Sequence, residues 1–213
     1  MGLPSIAPYD LPSGADLPAN RVDWTVDPDR AVLLVHDLQN HFLSAFTPGA
    51  QPLTGLLAAT ARLADRARAL GIPVVYSAQT GGQSPELRGL QMDFWGPGLP
   101  DDVHAEAIAA EVAPRDGDTV LTKWKYSAFV RTDLAALLTE RGRDQLVITG
   151  VYAHLGVNMT ACDAWMRDVQ AFVVADAVAD FGPREHLDAL RWAARACARV
   201  TTADTVFDLG DRP

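Results

Sequence analysis

Three polar residues each follow a short apolar run in this chain: Asp37 after Ala31-Val-Leu-Leu-Val35, Gln79 after Ile72 to Ser77, and Lys123 after Thr119 to Thr122. A fourth run, Gln145 to Thr149, leads into Gly150-Val-Tyr-Ala-His-Leu-Gly156. If the runs are parallel strands, these groups sit at strand carboxyl ends, where open parallel sheets bind ligands. An acid and an amine on adjacent strand ends suit proton transfer, because each shifts the other's proton affinity and holds its orientation. The same pair of residue types also makes ordinary structural ion pairs, and that alternative stays open on these residues alone.

The elements that must position these groups are legible in the periodicity. The four runs, with Ala171 to Val174 and a weaker sixth at Arg199 to Thr202, alternate with longer amphipathic stretches, the pattern of strands joined by crossover helices. The first run is nearly all apolar, as a strand buried on both faces requires. Leu53, Leu56, Leu57, Leu63, Ala64, Ala67 and Leu70 recur near a 3.6 period and Gly71 suits the helix end. Thr132 suits the cap of a helix carrying Leu134, Leu137 and Leu138 that Gly142 ends, and Pro183 suits the start of another with Leu187, Leu190, Ala194 and Cys197 inward. The expectation is a three-layer α/β/α fold, a six-stranded, mostly parallel sheet with helices on both faces. Residues 80–101, rich in glycine and proline around Asp93-Phe-Trp-Gly-Pro-Gly98, are too long for a plain connection and are expected to form a structured flap over the site.

Composition narrows the function classes. The 213 residues, 48% hydrophobic, suffice for a single domain over 1–213. A net charge of −9 without a basic stripe argues against nucleic acid. The N-terminus has no signal-peptide pattern and no stretch has the length of a membrane span, so a soluble, cytoplasmic protein is expected. Two cysteines, Cys162 and Cys197, are too few for a disulfide framework and read as buried thiols. His36, His41, His104, His154 and His186 show no metal-site spacing, and neither a phosphate loop nor a dinucleotide turn is present. No metal and no organic cofactor is expected.

Taken together, Val35-His-Asp37-Leu-Gln39, Lys123-Trp-Lys-Tyr-Ser-Ala-Phe129 and Gly150-Val-Tyr-Ala-His-Leu-Gly156 resemble the three signature segments of the isochorismatase-like hydrolase superfamily. Within it, Leu17-Pro-Ala-Asn20, the Asp93–Gly98 stretch and Ala175-Asp-Ala-Val-Ala-Asp-Phe181 are similar to the isochorismatases of phenazine biosynthesis. Most superfamily members use a cysteine nucleophile at the position of Gly156, and a glycine has no side chain to attack with. Cys162, well over a turn farther along the following helix, should point elsewhere.

The resemblance implies hydrolysis of the enolpyruvyl vinyl ether of isochorismate or 2-amino-2-deoxyisochorismate, a small dianionic chorismate-derived substrate. The products would be pyruvate and 2,3-dihydro-2,3-dihydroxybenzoate or trans-2,3-dihydro-3-hydroxyanthranilate. Such chemistry needs a positioned acid rather than a nucleophile. Asp37 is the expected acid, which needs its proton affinity raised by desolvation at some point in the cycle. Lys123 alone would push the other way and a bound dianion would offset it, so Lys123 is expected mainly to orient Asp37 and the enolpyruvyl group. Gly156 would leave space for the ether carbon and water. Phe42, Gln79, Arg88, Trp95, Tyr126 and Tyr152 are implied as pocket lining, with Arg88 facing a carboxylate. A homodimer is also implied by resemblance. With no carrier-protein segment before Pro213, a free product is expected. Two other readings stay open: an amide hydrolase with another nucleophile, and a scaffold without catalysis.

Overall fold

In the computed structural model, which describes residues 3–208, six strands form one sheet: β1 (Ala31–His36), β2 (Val74–Ala78), β3 (Thr119–Thr122), β4 (Gln145–Val151), β5 (Gln170–Ala179) and β6 (Ala198–Thr201). Every neighbouring pair is parallel, in the order β3-β2-β1-β4-β5-β6. The helices are α1 (Asn40–Leu43), α2 (Leu53–Ala69), α3 (Pro85–Arg88), α4 (Gln91–Trp95), α5 (Val103–Glu106), α6 (Leu134–Glu140), α7 (Asn158–Trp165) and α8 (Pro183–Ala196). Among the described residues no helix is long and apolar enough to cross a membrane.

The central strands β1 and β4 are buried along their whole length, as their unbroken apolar runs require. One sheet face packs on α2 through Leu56, Leu63, Ala64 and Ala67, with Ile6 of the N-terminal segment beside them. The other face packs on α6, α7 and α8 through Leu134, Leu138, Ala161, Ala164, Leu190 and Ala193. This is the expected three-layer arrangement. Gly71 (φ +71°) and Gly142 (φ +62°) take the left-handed conformation just past α2 and α6, which a side chain would resist.

Several strand limits differ by a residue or more from expectation, and two of the differences have a physical reason in the pairing. Pro73 accepts a hydrogen bond from Leu33 but has no N–H to donate, so the β2 ladder starts at Val74 rather than Ile72. β5 runs five residues past Val174 because its pairing with β4 shifts register between Ile148 and Gly150 and resumes at Gly150 with Val178 and Val151 with Ala179. The extension carries Asp180 and Phe181 to the same end of the sheet as Asp37. Connections run from β1 outward through β2 to β3 and then return to β4 on the other side of β1. The reversal lies between β1 and β4, where this class of sheet opens a crevice.

Candidate active site

Asp37 stands one residue beyond β1 with φ 52°, a left-handed conformation that aspartate tolerates better than most residues. Its N–H still donates to the Ser77 carbonyl at 3.1 Å, so the turn begins while the backbone is tied to β2. Lys123, one residue beyond β3, donates its N–H to the Ala78 carbonyl at 2.8 Å in the same way. The two side chains meet in front of β2. Lys123 Nζ lies 2.9 Å from Asp37 Oδ2, Ser77 Oγ donates to Asp37 Oδ1 at 2.6 Å, and Gln79 Nε2 is 3.4 Å from Oδ2. Lys123 is 1% exposed and Asp37 5%.

Burial on its own pushes the Asp37 carboxyl up, and Lys123 was expected to push the other way until a dianion binds. In the free protein the Lys123 ammonium and the hydrogen bonds from Ser77 and Lys123 outweigh burial and hold the carboxyl below its ordinary range. Asp37 and Lys123 therefore form a close, solvent-shielded pair.

The 80–101 stretch forms the expected structured flap, built on α3 and α4. Ser84 caps α3 by accepting from Leu87 N–H, and Pro85 occupies its first turn. Arg88, at the end of α3, is 3% exposed and donates from Nε to the Gly96 carbonyl at 2.8 Å. Its guanidinium lies flat against Gly98, where a Cβ would come within 2.3 Å of Nη1. No carboxylate among the described residues pairs with it, and burial lowers its proton affinity. A buried, unpaired guanidinium is a site for an anionic ligand group. The flap is tied to the acid–amine pair through Lys125, whose Nζ donates to the Arg88 carbonyl and whose carbonyl accepts from Lys123 Nζ, each at 2.5 Å. Trp95, on α4, donates its indole N–H to Tyr126 Oη at 2.5 Å, which leaves the Tyr126 hydroxyl proton free to donate elsewhere.

After β4 the chain passes through a π-helical turn, Ala153–Val157, into α7. Tyr152 packs its ring against Phe42, Phe46 and Phe181, with centroids 6.4, 6.1 and 4.5 Å away. Its hydroxyl proton goes to the Phe42 carbonyl at 2.7 Å, so the orienting donor expected of Tyr152 is already committed and its ring serves as wall. Gly156 lines the cavity, and a Cβ there would lie 2.2 Å from His36 Cε1. Cys162 sits on α7, partly buried against the core, and is not in the cavity.

All nine residues singled out from the sequence line one cavity of about 700 Å³, its open mouth included: Asp37, Phe42, Gln79, Arg88, Trp95, Lys123, Tyr126, Tyr152 and Gly156. Leu3, His41, Gln91, Leu99, Leu155 and Phe181 line it as well and were not anticipated. Of these, Leu155 and Phe181 lay within segments already singled out, and Gln91 and Leu99 within the 80–101 stretch; Leu3 and His41 carry no local signal and arrive through tertiary packing. Among the described lining residues there is no serine, threonine or cysteine. A shielded carboxylate–ammonium pair, one unpaired guanidinium and aromatic walls suit proton transfer to an anionic, ring-bearing molecule.

Known proteins resemble this chain along most of its length. The isochorismatase domain family model matches residues 31–205. The isochorismatase of Bacillus subtilis (strain 168) is 52% identical over 208 residues, 98% of this chain and 67% of that protein. The phenazine biosynthesis protein PhzD of Pseudomonas fluorescens is 47% identical over 205 residues, 96% of this chain and 98% of its own. A cysteine hydrolase from Pseudomonas syringae superposes with a TM-score of 0.78 at 22% identity, covering 89% of this chain and 95% of that one, a likeness of fold alone.

Proposed function

The chain belongs to the isochorismatase family, and we propose that it hydrolyses the enolpyruvyl vinyl ether of isochorismate or 2-amino-2-deoxyisochorismate by acid catalysis from Asp37, without a covalent intermediate. One observation carries this reading: the shielded Asp37–Lys123 pair opens onto a cavity that holds an unpaired guanidinium and, among its described lining residues, no serine, threonine or cysteine. The two relatives, an isochorismatase and a phenazine biosynthesis protein, support the substrate class.

In this reading Arg88 takes one carboxylate of the dianion bidentately. The second negative charge enters a shielded site beside Asp37 and raises its proton affinity, which Lys123 holds down in the free protein. Protonated Asp37 gives its proton to the terminal methylene carbon, which becomes a methyl group, and the ether carbon becomes an oxocarbenium ion. Water adds to that carbon and returns a proton to the carboxylate. The resulting hemiketal breaks its bond to the ring oxygen, which takes up the hydroxyl proton; pyruvate and the ring alcohol leave. Lys123, 2.9 Å from Asp37 Oδ2, keeps the carboxyl oriented through the cycle. Trp95 and Phe42 exclude bulk water from the ring, while Gln79 and Tyr126 supply orienting hydrogen bonds. Tyr152 contributes a wall. A single catalytic domain over 1–213, a cytoplasmic setting and a homodimer, the last from resemblance alone, belong to the same proposal.

The test is pyruvate release from each of the two substrates by wild-type protein and Asp37→Ala. Release by wild type that collapses in the variant supports the mechanism, and the ratio of rates names the preferred substrate. No release from either substrate overturns the reading.

A further inference from the structure

We infer that His36 is the specificity-determining partner of Gly156, and that the two together, rather than the glycine alone, commit this cavity to water as its nucleophile. A Cβ on Gly156 would meet the His36 ring at three atoms: 2.2 Å from Cε1 and 3.0 Å from each nitrogen. Contacts this short force something to move, and the ring has nowhere to go. His36 is fully buried, its Nδ1 is 3.1 Å from the Val151 carbonyl and its Nε2 is 3.3 Å from Thr160 Oγ1. The main-chain carbonyls of Val151 and Tyr126 both accept from the ring, and the Thr160 oxygen beside Nε2 accepts from Ala128 N–H, so the imidazole is tied on more than one side. The backbone of His36 is equally confined, since Gly150 (φ +109°) approaches so closely that a Cβ there would lie 2.0 Å from the His36 carbonyl oxygen.

A side chain at position 156, cysteine included, must therefore displace a hydrogen-bonded imidazole rather than enter free space. The displaced ring is also next to the proposed acid, with Nδ1 3.7 Å from Asp37 Oδ1. Placing a thiol at 156 by itself disturbs the acid without creating a usable nucleophile, and the exchange of one chemistry for the other requires a small residue at 36 as well. His36 does not line the cavity, so it acts as a positioning residue. The kinetic part of this inference rests on the vinyl ether reading; the packing part does not.

The experiment is a cycle of Gly156→Ala, His36→Gly and the double variant, measured by thermal denaturation and by pyruvate release from the substrate that wild type prefers. Gly156→Ala should lower Tm and reduce kcat about a hundredfold with KM little changed, since it misplaces the acid rather than removing a binding group. Adding His36→Gly should restore part of both, with kcat about tenfold above Gly156→Ala and a higher Tm, the non-additivity expected of two groups that compete for one space. An undiminished Gly156→Ala enzyme, equal losses in both backgrounds, or a double variant no better folded than Gly156→Ala overturns the pairing. The Tm arm uses no substrate, so it stands or falls separately from the vinyl ether reading.

Discussion

Lys125 donates from Nζ to the Arg88 main-chain carbonyl at 2.5 Å, and through its own carbonyl it receives Lys123 Nζ at the same distance. One residue thus joins the flap that presents the guanidinium to the amine that orients Asp37. Lys125→Met keeps the length of the side chain and removes its donors. It should raise KM about five- to tenfold with a smaller loss of kcat, the size of one charge-assisted hydrogen bond, and Lys125→Arg should recover most of it. Steady-state pyruvate release from the three proteins checks this.

Arg88 and Gly98 should fail together. Arg88→Lys retains the charge but loses the planar fork, and KM for the dianion should rise about 10- to 100-fold. Gly98→Ala should approach the same value without touching the arginine, because the added Cβ takes the place of Nη1. A Gly98→Ala protein with unchanged KM contradicts the geometry of the flap.

The shielded pair predicts a non-additive stability cycle. Lys123→Met leaves a buried carboxylate without its counter-charge and should destabilise by roughly 3–5 kcal/mol; Asp37→Asn leaves a buried ammonium and should cost a comparable amount. The double variant should be less destabilised than the sum of the singles, because neither charge is then left alone. Urea denaturation of the four proteins measures the coupling.

Two buried histidines set the acid limb of stability. Burial pulls His36 and His186 down to about 4, so in the folded protein both stay neutral at pH values where the unfolded chain, near 6.5, takes up protons. Their contribution is complete above 6.5 and is lost as pH falls from 6.5 toward 4, by at most ~3 kcal/mol apiece. Asp37, held below its ordinary 3.8, loses its contribution only at lower pH still, so the two windows separate. Tm measured from pH 7 to pH 4 should fall in wild type, and His186→Gln should flatten the slope. An unchanged slope contradicts the assignment.

Much of the framework was legible along the chain. Runs such as Ala31–Val35 suit central strands, because a strand buried on both faces needs a short, nearly continuous apolar segment. Gly71 and Gly142 marked real helix ends, and the glycine and proline density of 80–101 marked the flap. The nine candidate site residues were found because eight of them follow strand ends or lie on that flap or in the signature segments, and Phe42 came with the family resemblance. The extension of β5 was not legible: it arises from a register shift against β4, which is a property of two strands rather than of one.

The sequence by itself determined the elements, the residue types delivered to the strand ends and the absence of a nucleophile at 156, since periodicity, turn chemistry and side-chain identity are local. Tertiary structure alone decided the rest. Strand order placed Asp37 and Lys123 on either side of β2, within 2.9 Å of each other, and that proximity holds the Asp37 proton affinity down against burial, because a pairwise Coulomb interaction depends on distance and not on spacing along the chain. Packing put the His36 ring where Gly156 has no side chain; excluded volume between residues 120 positions apart is visible only once the chain has folded.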